Sequence, residues 1–63
     1  MDNNNVTIIL EGQFSQPELL YNVRMIEIKR DNVLVRGNGY SKIYFKNKIK
    51  SITTDSDVRI VFR

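Results

Sequence analysis

Apolar residues in this 63-residue chain recur in steps of two over short runs. Val6, Ile8 and Leu10 alternate with Thr7, Ile9 and Glu11, the period that lines one face of a strand. Ile9 makes the second face of that run partly apolar, which predicts burial on both sides or contact with another copy. From Val23 the pattern is extended again. There Val23 and Met25 share one parity and Ile26 and Ile28 the other, so a bulge near Met25 and Ile26 is expected to switch the face. Val33 and Val35 alternate with Leu34 and Arg36. The next run reads as an inward pair, Ile43 and Phe45, with Tyr40, Lys42, Tyr44 and Lys46 on the opposite face. Ile49 and Ile52 anchor a further extended segment. Val58, Ile60 and Phe62 form a last strand, with Arg59, Val61 and Arg63 facing outward.

Turn chemistry separates these runs. Asn38-Gly39 is the preferred two-residue hairpin turn, so the strands on either side must fold back on each other. Arg30, Asp31, Asn32 and Val33 read as a second tight hairpin, because Asp and Asn tolerate left-handed backbone. Residues 54–57 turn the chain again. Ser15-Gln16-Pro17-Glu18 has the form of a capping box with proline in the first turn, which predicts one short helical turn near residues 16–21.

Together these signals predict an all-β fold: a small antiparallel meander of five or six strands curling into a small barrel or a strongly bent sheet. Residues 1–5 are expected to be a flexible polar start and residues 6–63 a single small β domain. Composition agrees, since Val, Ile and Thr are abundant and alanine is absent. A chain of this length hides only about 60% of the surface its unfolded form exposes, which leaves no room for a second domain. So thin a core favours a homo-oligomer, most simply a dimer, with Ile9 and Val61 as candidate interface residues and the last strand as an open edge.

Charge is uneven. Residues 1–28 hold Asp2, Glu11, Glu18 and Glu27 against Arg24 and carry −3, so the remainder carries +6 and the whole chain +3. That asymmetry suits an acidic partner, although a solvated basic surface is the blander reading. Asn, Ile and Lys supply 20 of the 63 residues, which AT-rich codons favour; this associates the chain with a low-GC bacterium or a phage infecting one.

The chain contains no cysteine or histidine, which removes disulfides, thiol chemistry and the usual general base. No enzyme activity, cofactor or metal is expected; Asp55 and Asp57 read as turn residues that satisfy backbone donors. Gly37 and Gly39 belong to a hairpin, not a phosphate cradle. No apolar run is long enough to cross a membrane, and the start shows no basic, apolar leader, so a cytoplasmic protein is expected.

The Tyr40, Lys42, Tyr44, Lys46 row is the most informative surface feature, with Lys48 and Lys50 extending its charge. These six residues are the candidate partner-binding set. The function they suggest is a non-catalytic protein-binding module, an inhibitor or adaptor of the phage or mobile-element type acting as a homo-oligomer. Two alternatives remain: a nucleic-acid-binding small barrel using the Tyr/Lys face, and a sponge or sensor for an anionic small molecule.

Overall fold

A computed structural model of the chain describes residues 4–12 and 16–63. Among these, seven strands form two sheets: β1 (Val6–Leu10), β2 (Glu18–Leu20), β3 (Val23–Ile28), β4 (Asn32–Gly37), β5 (Ser41–Phe45), β6 (Ile49–Thr54) and β7 (Arg59–Phe62). The three-stranded sheet has the order β2-β1-β6 and the four-stranded sheet the order β5-β4-β3-β7. One 3-10 turn, Lys46–Lys48, links β5 to β6. The fold is all-β with bent sheets. Its barrel is not closed, because no ladder joins β5 to β2 or β6 to β7. No helix among the described residues is long and apolar enough to cross a membrane.

The alternating runs position the core between the sheets. Val6 and Ile8 of β1 face Val23, Ile26, Val33 and Val35 of β3 and β4, all fully buried, with Leu20 and Val58 closing the ends. Each such aliphatic side chain contributes roughly 1.5–3 kcal/mol relative to exposure. The parity switch in β3 is a bulge, as its pattern predicts. The β3-β4 register shifts between Val23 and Met25, so Arg24 is the extra residue and both Val23 and Ile26 reach the core.

Both hairpins form. Lys29 N donates to Asn32 O at 2.9 Å across the first, and Gly37 N donates to Tyr40 O at 2.9 Å across the second. Left-handed backbone is used sparingly: Gly39 has φ +86°, whereas Asp31, Asn32 and Asn38 keep negative φ. Asn22, at the corner between β2 and β3, has φ +56°. Its amide side chain suits a conformation that most residues resist.

The structure differs from the sequence reading in four respects. The short helical turn near residues 16–21 is absent; Glu18, Leu19 and Leu20 pair instead with Ile8, Thr7 and Val6 as a strand. Ladder bonds and the burial of Leu20 outweigh a cap signal that supports only a single turn; Ser15 of that box lies outside the described residues. Second, β7 runs parallel to β3, Met25–Ile28 matching Arg59–Phe62, so the four-stranded sheet is mixed. Third, seven strands replace five or six. Fourth, Ile43 and Phe45 are not an inward pair. Across the β4-β5 hairpin Val33 opposes Tyr44 and Val35 opposes Lys42, so the inward valines carry Tyr44 and Lys42 to the inner face. Ile43 and Phe45 stand on the outer face, 69% and 70% exposed.

At the amino-terminal end, Asn5 N donates to a carboxylate oxygen of Asp55 at 3.0 Å, and Asp55 N donates to Asn5 O at 2.9 Å. Asn4 O accepts from Val23 N at 2.9 Å.

Candidate functional site

The aromatic and basic row of β5 closes the seam between the two sheets. Where backbone pairing between β5 and β2 is missing, three side chains bridge it. The Tyr40 hydroxyl donates to Tyr21 O at 2.5 Å, and the Tyr44 hydroxyl donates to the Glu18 carboxylate at 3.3 Å. Lys42 Nζ lies 3.7 Å from the same Glu18 oxygen. Tyr44 is half-buried against the core, and the Tyr40 ring covers Gly37. Burial, reinforced by the Glu18 charge and hydrogen bond, pushes the Tyr44 phenol up to about 12. The first three members of the candidate set therefore already have partners within the fold.

Lys46 and Lys48 lie on the 3-10 turn and Lys50 follows on β6, all exposed. Lys50 is the extra residue of a β6 bulge, since Ile9 pairs with Ser51 and Leu10 with Ile49. Lys46 alone of the three lines the depression at the end of the four-stranded sheet. That depression, about 350 Å³, is bounded by Arg30, Asp31, Phe45, Lys46 and Asn47. Its walls come from the β3-β4 turn and the end of β5, held together by a 3.0 Å bond from Lys46 N to Asp31 O. An exposed aromatic ring, two cations, a carboxylate and an amide thus share one shallow concavity, and Ile43 lies on the same outer face of β5 as Phe45.

The register separates the two candidate interface residues. Ile9 lies on the outer face of the three-stranded sheet, opposite Ser51. Val61 lies on the outer face of the other sheet, opposite Glu27. Both are half-buried, on the outer faces of different sheets.

Glu27 is the buried acid of that outer face, only 5% exposed. Arg36 Nε donates to its Oε1 at 2.8 Å and Arg63 Nε lies 3.6 Å from its Oε2. The hydrogen bond from Arg36 holds its carboxyl below the ordinary glutamate range against the opposing effect of burial. Sequence reading passed over Glu27. The signal was a charged residue at a strand centre flanked by Ile26 and Ile28, with arginines available on the neighbouring strands.

Among the described residues no three His, Cys, Asp or Glu side chains gather as a metal site would require. No family model, curated protein or solved structure matches this chain.

Proposed function

We propose that this chain is a non-catalytic protein-binding module whose contact surface centres on Phe45 and Ile43 of β5. The observation that carries the reading is the exposure of these two neighbouring apolar side chains on one face of an edge strand, beside a concavity framed by Arg30 and Lys46. Interfaces place an aromatic or aliphatic anchor at the centre and charge at the rim, where charge steers encounter more than it adds affinity. A small inhibitor or adaptor acts in this way. Self-association would use the other edge of the sheet, where Ile60 and Phe62 are also exposed.

A second reading has its own support. The Phe45 ring beside Arg30 and Lys46 also suits a nucleobase with its phosphate, which stacks on aromatic faces next to cations.

Capture from the native host with wild-type protein, Phe45→Asp and Ile9→Asp tests the first reading. A protein retained by wild type and Ile9→Asp and lost with Phe45→Asp supports it. Oligonucleotide binding by wild type with a log-log salt slope of roughly −0.7 per phosphate contacted moves the assignment to nucleic acid.

A further inference from the structure

The two hairpin bonds that flank β5 determine which of its backbone groups are free. Gly37 N bonds Tyr40 O, and Lys46 N bonds Asp31 O. In an antiparallel ladder the bonded positions alternate, so residues 40, 42, 44 and 46 direct N–H and C=O toward β4. The N–H and C=O of Ser41, Ile43 and Phe45 therefore point away from the sheet. β5 is an edge strand, and among the described residues the bonds that tie it and Tyr40 to the β2 segment run to the Glu18 side chain and the Tyr21 carbonyl, with no backbone ladder.

An exposed row of backbone donors and acceptors is a template for another strand. Natural edge strands are usually blunted by a proline, a charge or a bulge; β5 has no proline or bulge, and its one charge, Lys42, points inward toward Glu18, which leaves the outer face of the edge without charge. Its outward side chains there are Ser41, Ile43 and Phe45, which offer pockets and apolar contacts to alternate residues of an incoming chain.

We infer that the open edge of β5 takes up an extended acidic segment of a partner protein as an added antiparallel strand, a proposal that rests on the protein-binding reading above. Charge selects this occupant. Arg30 and Lys46 line the depression at the carboxyl end of β5 together with one carboxylate, Asp31, and Lys48 follows in the 3-10 turn; antiparallel addition places the amino-terminal end of the incoming segment there. Acidic residues at that end meet the cations, and apolar residues at alternate positions behind them cover Phe45 and Ile43. A second copy of this chain is the poorer fit. Symmetric antiparallel pairing of β5 with its own counterpart sets the Phe45 end of one copy against the Ser41 end of the other, and Ser41–Phe45 carries no carboxylate to meet Arg30 and Lys46.

The probe is a synthetic peptide of two glutamates followed by alternating valine and threonine, titrated into the full chain and followed by amide NMR. The expected result is slowed hydrogen exchange at the amides of Ser41, Ile43 and Phe45. Replacing the glutamates by lysines is expected to weaken binding by about tenfold or more, which corresponds to about 1.4 kcal/mol. N-methylating the peptide amides that face β5 is expected to abolish binding while leaving every side chain in place. Absence of binding, or binding unaffected by N-methylation, overturns strand addition. Should capture of a partner by wild type still be lost with Phe45→Asp, the protein-binding reading stands without it. A sedimentation result in which β5 amides are protected only at concentrations where the chain dimerises overturns the acidic occupant in favour of a second copy.

Discussion

The ring of Tyr40 occupies the space that a side chain on Gly37 would fill. Gly37 ends β4 and pairs with Val23, so its missing side chain opens a slot on the sheet surface. Tyr40 lies in that slot and reaches on to Tyr21 O, tying the β4-β5 hairpin to the β2-β3 corner. A second bond, Asn38 N to Asn22 O at 2.9 Å, joins the same two loops.

Gly37→Ala is therefore expected to expel the Tyr40 ring and break its bond to Tyr21. Overpacking of this kind costs about 1–3 kcal/mol, read as a lower melting temperature and a larger exposed Tyr signal. Gly39→Val destabilises for a different reason: nothing crowds the position, but φ +86° is strained for a β-branched residue. Tyr40→Phe separates the two contributions at Gly37, since it keeps the ring and removes only the hydroxyl. An unchanged melting temperature in Gly37→Ala would falsify the slot assignment.

The seam should weaken in alkali. Tyr44 keeps its proton in the folded chain to about 12, whereas in the unfolded chain it ionises near the ordinary phenol value of 10.0. Between those values the unfolded state binds fewer protons than the folded one, so stability is full below the lower value and falls as pH rises through the window. Ultraviolet titration of the phenols is expected to show one late-ionising tyrosine, absent in Tyr44→Phe. If the folded wild type shows no late phase that Tyr44→Phe removes, Tyr44 is not buried against Glu18.

Acid should act through Glu27. Its folded pKa lies below its unfolded one, so its contribution is present above the ordinary carboxylate range and is lost as pH falls through the lowered folded value. Denaturant midpoints measured from neutral pH downward are expected to fall for wild type and to fall less for Glu27→Gln. That variant should start from a lower stability at neutral pH, because Arg36 and Arg63 then converge on a neutral group. A wild-type profile identical in shape to that of Glu27→Gln sinks the assignment.

Strand content, the β3 bulge and both hairpins were legible because each depends on local pattern: alternation, a parity switch and turn residues. Strand β2 was not, since Glu18–Leu20 gains its structure from pairing with Val6–Ile8 while its local residues signal a helix start. The face of β5 was readable in principle. A two-residue turn at Asn38-Gly39 obliges Val35 to oppose Lys42 and Val33 to oppose Tyr44, yet hydrophobicity alone assigned Ile43 and Phe45 to the core. Of the candidate binding residues, Lys46 was found beside the depression, while Phe45 and Arg30 were missed. Those two come together only because the β3-β4 turn lies over the end of β5, a proximity that no periodicity encodes.

The order in which strands meet also bears on how quickly the chain can fold. The β3-β4-β5 meander closes through two tight turns, whereas β1 must wait for β6, with Val6 paired to Thr54, and β3 for β7, with Met25 paired to Arg59. Closing those long loops costs entropy before any contact repays it. The meander is thus the natural nucleus, and substitutions such as Val35→Ala are expected to slow folding, whereas Ile52→Val and Val58→Ala mainly speed unfolding. Until β6 and β7 arrive, the valine face of the meander stands open to water and to other chains, so yield on refolding should depend on protein concentration more steeply than the stability of the finished fold suggests.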